Sequence, residues 1–234
     1  MSISVNLERI RRRIAAAARR ANRNPDEVTL MAVSKTFPAE DIVEAHRAGQ
    51  RLFGENRVQE FADKASIVHE LDSAQFHLIG HLQSNKAARA AELFDAVDSV
   101  DSLRLLERLN DGAGKFGKKL PVLIEINVGG EEQKSGVPPV SPELEEMIQA
   151  APTLEHVCIC GLMAIPPYSD YPERSRPYFR MMLEIREDLA KRNLPGIGLD
   201  VLSMGMSNDF EIAIEEGSTQ VRVGSAIFGK RTKL

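Results

Sequence analysis

Apolar and polar positions along this chain alternate between two kinds of segment. Short runs rich in β-branched residues are bounded by turn residues and have the length of strands. Longer runs repeat apolar residues every three or four positions, and several open on Ser, Asn or Pro and end near Gly or Asn, as helices do. The predicted strands are 28–34, 52–55, 75–80, 96–101, 121–128, 156–165, 199–205 and 219–229.

This order of elements indicates the fold. Most of the predicted strands lack apolar–polar alternation, which is typical of parallel strands buried on both faces. We therefore predict a parallel (β/α)8 barrel of the TIM type, with an extra N-terminal helix, as a single domain over 1–234. An open doubly wound sheet is the alternative, because periodicity does not show closure. In both folds ligands bind at the carboxyl ends of the strands, so side chains there are the candidates for chemistry.

An arginine-rich segment, "VNLERIRRRIAAAARRANRN", precedes the first predicted strand at 5–24. Its apolar residues recur at helical spacing, so the arginines are interpreted as the solvated face of an amphipathic helix. An organelle transit peptide is the alternative; Glu8 and the barrel pattern that starts directly afterwards argue against it.

Composition excludes several classes of protein. The 234 residues carry a formal net charge of -4, and beyond the first helix the basic residues are scattered, which argues against an obligatory nucleic-acid partner. Neither a membrane-spanning apolar run nor a secretory signal is visible, so we expect a cytoplasmic protein. Cys158 and Cys160 lack the spacing of a metal or redox pair and are interpreted as buried, reduced thiols.

A lysine ends the first predicted strand, in "AVSKTFP" at 32–38. Lys35 could simply reach water. The functional interpretation is a nucleophile, because an amine near apolar walls or other cations has a lowered proton affinity and can attack an aldehyde.

An arginine interrupts the apolar strand at the other end of the chain. Arg222 lies between two valines and must be paired with a carboxylate, with Glu125 or Asp200 as candidates, or with a polar ligand atom. Gly224 and Ser225 follow it, and "LSMGMS" at 202–207 follows the preceding strand. Such glycines and serines suit a phosphate, for which these last two loops are the frequent site in barrels. The residues alone fit either pyridoxal 5'-phosphate or a sugar phosphate.

Six segments carry a resemblance that covers nearly the whole chain: "AVSKTFP", "LFGENRVQE", "FHLIGHLQSNK", "INVGGEEQKSGV", "GLMAIPP" and "LSMGMSNDFEIAIEEGSTQVRVGSAIFG". They resemble the pyridoxal phosphate homeostasis protein family, whose members are similar to the barrel domain of alanine racemase but lack its second domain. The resemblance implies that pyridoxal 5'-phosphate forms an internal aldimine with the first of the following residues and is bound by the others: Lys35, Asn56, Ser203, Arg222, Gly224 and Ser225. Ser225 departs from the threonine common in the family.

The expected function is a carrier that exchanges the cofactor with client enzymes or the free pool, and we expect a monomer with no catalytic residue and no metal. Arg222 stays protonated, which disfavours a protonated pyridine nitrogen and weakens the ring as an electron sink. Only eight residues, "IFGKRTKL", remain at the end of the sequence. We therefore expect no second domain that could supply a catalytic tyrosine.

Two enzymatic alternatives remain. A weak amino-acid racemase would need an added acid or base, for which Tyr168, Tyr171, His77 and His81 are candidates. Lys134 is a candidate for a further anion site, although surface solvation is its more ordinary role. A sugar-phosphate Schiff-base aldolase would need a second lysine and a relay carboxylate at strand ends, and no such pair is identified.

Overall fold

The structure is a computed structural model in which residues 2–131 and 133–229 are described. Its eight strands form a closed barrel in which each pairs in parallel with the next, and the last pairs with the first. The strands are β1 Thr29–Val33, β2 Leu52–Glu55, β3 Gln75–Leu78, β4 Ala96–Val100, β5 Leu120–Ile126, β6 Val157–Ala164, β7 Ile197–Met206 and β8 Gln220–Val223. The predicted barrel is confirmed, and closure excludes the open sheet.

Helices follow the strands and surround the barrel, as predicted. They are α1 Ile3–Arg20, α2 Ala39–Arg47, α3 Val58–Val68, α4 Ala87–Leu93, α5 Leu103–Lys115, α6 Pro142–Ala150, α7 Arg176–Lys191, α8 Phe210–Glu215 and α9 Ser225–Phe228. Among the described residues, none of these helices has both the length and the hydrophobicity to span a bilayer.

The predicted last strand, 219–229, is wrong at its carboxyl end. The structure ends β8 at Val223, leaves Gly224 outside regular structure and turns Ser225–Phe228 into the short α9. Ile227 is fully buried, and Phe228 stacks on Phe37 at 5.0 Å between ring centroids. An apolar run cannot distinguish a short strand from a buried helical turn, which explains the error.

Two layers of core hold the barrel. Between strands and helices, stacked aromatic rings such as Phe61 and Phe94, 4.6 Å apart, belong to the main apolar cluster. Inside the barrel the apolar cluster is small and consists of Met31, Val33, Leu52 and Ile79. Several buried polar side chains also lie on the strands, among them Glu125, Ser203 and Arg222, and such groups direct attention to the cavity at the strand ends.

The arginines of α1 are exposed, as predicted, but several also attach the helix to the barrel. Arg11 donates to the carbonyl of Ala48 at 3.1 Å, and the guanidinium of Arg13 lies 4.6 Å from the Phe210 ring centroid. Asn6, buried on the same helix, donates to the carbonyl of Ile227 at 2.8 Å.

The two cysteines are free and only partly buried, with sulfur atoms 3.6 Å apart. Burial, together with the neighbouring Cys158 thiol, raises the pKa of Cys160 to about 12. Cys160 is therefore a thiol rather than a thiolate at neutral pH.

Candidate functional site

A cavity of about 750 Å³ opens at the carboxyl ends of the strands. Five of the six predicted site residues line it: Lys35, Asn56, Arg222, Gly224 and Ser225. They come from the first, second and last strands and from the segments that follow them, which closure of the barrel brings side by side. The site thus lies at the end of the barrel where ligands of this fold bind.

Lys35 lies two residues beyond the end of β1, in the turn that leads to α2. Thr36, its neighbour, has a positive φ of 67°, a left-handed conformation that turns the chain sharply away from the strand direction. The lysine is partly buried and on the cavity wall. An amine in this position can reach a ligand in the cavity.

Asn56 directly follows β2 and approaches the end of β3 closely. A Cβ atom added at Gly80 would lie only 2.3 Å from the Asn56 carbonyl oxygen, so a glycine is required there. This contact fixes the backbone of Asn56 at the edge of the cavity.

Arg222 points from β8 into the barrel and is 4% exposed. Its guanidinium donates to the carbonyls of Ser203 at 2.7 Å and Ala164 at 2.8 Å, and to the Ser203 hydroxyl at 2.7 Å. Neither predicted ion pair forms, because no described carboxylate oxygen lies within 4 Å of the guanidinium nitrogens. Burial lowers the pKa of Arg222, an effect that the more distant Asp98 opposes.

Ser203 does not line the cavity, contrary to expectation. The predicted strand 199–205 already contained Ser203, and β7 places its side chain inside the barrel rather than at the end of the strand, where a phosphate was expected. Its fully buried hydroxyl accepts hydrogen bonds from Arg222 at 2.7 Å and Gln220 at 3.0 Å. Ser203 therefore orients the arginine.

Ser207 occupies the place expected for Ser203. It directly follows β7, lines the cavity and accepts a hydrogen bond from the backbone amide of Gly224 at 3.3 Å. The segment "LSMGMS" contains both serines, and the sequence did not show which of them lies on the cavity wall. Gly224 packs tightly, since a Cβ there would lie 3.2 Å from the Val33 carbonyl oxygen.

Glu125 is a cavity residue that the sequence analysis named only as a partner for Arg222. It is the penultimate residue of β5, lines the cavity and is 6% exposed. Burial raises its pKa to about 7, with the Arg222 charge opposing the rise and Asp101 adding to it. A carboxylate inside an apolar strand, "LIEI", is the same signal that revealed Arg222.

The two candidate tyrosines and the candidate anion-binding lysine differ in position. Tyr168 lines the cavity but is 80% exposed, and its hydroxyl donates to Asp170 at 2.9 Å, which raises the pKa of the phenol. Tyr171 does not line the cavity. Lys134 does, and it pairs with Glu131.

The two histidines differ in position. His77 lies inside the barrel with Nδ1 3.0 Å from Asp98, and although burial lowers its pKa, that carboxylate raises it above the ordinary value. His81 lines the cavity, with Nδ1 3.1 Å from the Ser135 hydroxyl and 3.2 Å from Asp101. Only His81 is placed to meet a ligand.

Comparisons with known proteins agree with this geometry. A family model described as alanine racemase, N-terminal domain, matches residues 5–232. Proteins named pyridoxal phosphate homeostasis protein are similar along almost the whole chain. The Escherichia coli K12 protein is 46% identical over 232 residues, with 98% of this chain and 97% of that protein covered. The Aquifex aeolicus protein is 42% identical, with 99% of both covered.

Solved structures share the barrel. PipY of Synechococcus elongatus, in a structure with PLP bound, superposes with a TM-score of 0.83 at 37% identity, covering 97% of this chain and all of that one. An alanine racemase of Clostridium difficile superposes with a TM-score of 0.72 at 15% identity, covering 99% of this chain and 57% of that one, which indicates the shared fold.

Proposed function

The chain belongs to the pyridoxal phosphate homeostasis proteins, within the alanine racemase N-terminal domain family, and from this we propose that it binds pyridoxal 5'-phosphate through Lys35 and acts in the homeostasis of that cofactor. The support is the juxtaposition, in one cavity, of an amine, a buried guanidinium and a group of phosphate donors. These match the aldehyde, the ring nitrogen and the phosphate of the cofactor.

The residues present fit the group by their chemistry. Ser207 and Ser225 offer hydroxyls and Gly224 a backbone amide at the ends of the last two strands, where barrels bind phosphate. The resemblance implies that Ser203 binds the phosphate, but its hydroxyl would first have to give up its hydrogen bond with Arg222. We therefore assign the phosphate role to Ser207. Lys35 supplies the amine from the segment after the neighbouring strand β1, and Asn56 a side-chain amide from the segment after β2.

Arg222 carries the argument for a carrier. Among the described residues its guanidinium is hydrogen-bonded only to neutral acceptors, so its positive charge remains available to interact with the ring of a bound cofactor. When bound, pyridoxal 5'-phosphate supplies an aldehyde and an electron-accepting ring. A protonated arginine opposite the ring nitrogen keeps that nitrogen an acceptor and limits the electron-accepting chemistry.

Retention of the cofactor after gel filtration tests the proposal. We expect the wild-type protein to retain about one equivalent and Lys35→Ala to retain none, because the covalent attachment is lost. Lys118→Met is the control, since Lys118 donates to carbonyls of Ala91 and Glu92 away from the cavity. Equal retention by wild type and Lys35→Ala would contradict the assignment.

Delivery to client enzymes, the monomeric state and a cytoplasmic location are further parts of the proposal. Transfer of bound cofactor to an apo-enzyme faster than its free release supports delivery. Transfer at the rate of release leaves storage as the function.

A weak racemase is the second candidate, and the position of Tyr168 on the cavity wall favours it. The hydrogen bond to Asp170 argues against it, because it raises the pKa of the phenol and makes the tyrosine a poorer base near neutrality. Incubation with each alanine enantiomer distinguishes the two candidates. Inversion of alanine that is lost in Tyr168→Phe would show that the protein is a racemase.

A further inference from the structure

A buried charged cluster lies directly behind the turn that carries Lys35. Lys64 of α3 and Glu55 of β2 form an ion pair at 2.7 Å, with side chains 9% and 0% exposed. The Ser34 hydroxyl donates to the same Glu55 oxygen at 2.7 Å. The cluster lies outside the cavity lining, so the proposed ligand contacts do not account for it.

Lys64 also binds the backbone of the turn itself. Its ammonium donates to the carbonyl of Ser34 at 3.3 Å and to that of Phe37 at 3.1 Å. These two carbonyls flank Lys35 on both sides. The Phe37 amide also donates to the Ser34 carbonyl at 3.1 Å, so the lysine ammonium binds both residues that close the turn and holds them together.

Stability alone does not explain this arrangement. A buried ion pair recovers its desolvation cost only when all of its polar atoms are satisfied. The second carboxylate oxygen of Glu55 is buried without a hydrogen-bond partner among the described residues, and burial raises the pKa of Glu55. The pair is therefore a weak source of stability, and its distinctive feature is the geometry that it imposes on the turn.

The same pair joins two segments of the site. Glu55 is the last residue of β2 and directly precedes Asn56, whereas Lys64 holds the turn after β1. A single cluster thus links the segment of Lys35 to that of Asn56.

We propose that Lys64, held by Glu55, is a positioning residue that fixes the Ser34–Phe37 turn and so presents the Lys35 amine to the cavity. The proposal rests on the proposed role of Lys35 in attaching the cofactor, and it concerns the protein before the cofactor binds.

Hydrogen–deuterium exchange of the cofactor-free protein tests it at the Phe37 amide. We expect about ten-fold faster exchange in Lys64→Met, because the bonds that reinforce the turn are lost. Lys118→Met removes a lysine that caps two carbonyls elsewhere and should leave the Phe37 amide unchanged. Unchanged exchange in Lys64→Met would overturn the proposal.

The double variant Glu55→Gln/Lys64→Met separates positioning from stability. It leaves no unpaired buried charge, so it should fold even where Lys64→Met does not. We expect its Phe37 amide to exchange about ten-fold faster than in wild type, because the bonds to the carbonyls are still absent. Exchange at the wild-type rate would show that the pair serves the fold only.

The pH profile of Lys35 acetylation by acetic anhydride is the second readout, and it needs no cofactor. We expect the profile to shift in Lys64→Met and in the double variant, and to stay as in wild type in Lys118→Met. Identical profiles in all variants would contradict the proposal that Lys64 positions the Lys35 amine. Both readouts remain valid if the protein fails to bind pyridoxal 5'-phosphate, so failure of this proposal and of the proposed function are distinguishable.

Discussion

Two arginines of this protein meet opposite surroundings. Arg176, on α7, is bound by three carboxylates, Glu173, Glu215 and Glu216, at 2.7, 2.9 and 2.6 Å. These hydrogen bonds, that to Glu173 foremost, raise the pKa of Arg176. Arg222, inside the barrel, donates to two carbonyls and one hydroxyl, and burial lowers its pKa.

The difference shows how to distinguish a structural cation from one that serves a ligand. The charge of Arg176 is fully compensated at the surface, so its effect is limited to packing α7 against α8. The charge of Arg222 is hydrogen-bonded but not compensated by a contacting carboxylate, and it lies on a cavity wall. An uncompensated buried charge is costly unless a ligand uses it, which favours Arg222 as a ligand-binding residue.

The largest expected effect is on the pH dependence of stability, and it compares Glu125, near Arg222, with Glu216, which pairs with Arg176. Burial raises the pKa of Glu125 to about 7 from its ordinary value of 4.5, so the folded protein binds more protons than the unfolded chain between these values. Stability therefore falls as the pH rises through this window, by about 3 kcal/mol. Glu125→Gln should abolish that loss, as measured by urea unfolding of cofactor-free protein at pH 5 and pH 8.

Glu216 provides the contrast, because hydrogen bonds from Arg180 and Arg176 outweigh burial and lower its pKa. Its contribution is present above its ordinary pKa and is lost as the pH falls through the lowered value. At pH 8 Glu216→Gln should therefore be less stable than Glu125→Gln. A Glu125→Gln curve parallel to that of wild type would remove the distinction between the regions.

The next effect is on binding. Arg222→Leu should weaken retention of pyridoxal 5'-phosphate by about 30-fold, the equivalent of about 2 kcal/mol for a lost charged hydrogen bond. Equilibrium dialysis measures it. Arg176→Leu is the matched control and should bind as wild type does; equal weakening in both variants would contradict the assignment of Arg222.

Arg176→Leu should instead lower the free energy of unfolding by about 1 kcal/mol, because partly exposed ion pairs are screened by solvent. Urea unfolding at low and high salt measures the change, which should shrink with added salt. A salt-independent loss would show that the side chain acts by packing.

Ser203→Ala should weaken cofactor binding less than Arg222→Leu does. Loss of the hydroxyl frees one of the Arg222 hydrogen bonds while both carbonyl contacts remain, so affinity for the cofactor should fall about five-fold, or about 1 kcal/mol. Ser207→Ala, on the cavity wall, should weaken binding of pyridoxal 5'-phosphate more than that of pyridoxal. If Ser203→Ala also weakened binding of pyridoxal 5'-phosphate more than that of pyridoxal, Ser203 would be assigned to the phosphate site after all.

The sequence revealed the barrel and most of the predicted residues that line its cavity, for physical reasons. Eight unalternated strands separated by helices leave few other packings, and a cation inside an apolar strand must have a special partner. Ser203 and Ser207 lie in one short segment, and only the packing of the barrel shows that Ser207 is the one on the cavity wall. Lys64 could not be recognised, since its contacts with the turn at 34–37 depend on tertiary packing.

The most direct test of the central claim is borohydride reduction of protein loaded with pyridoxal 5'-phosphate, followed by peptide mass analysis. The account predicts one modified peptide, with the added mass on Lys35, and no modified peptide in Lys35→Ala. A label on another lysine, or the same extent of labelling in Lys35→Ala, would contradict it.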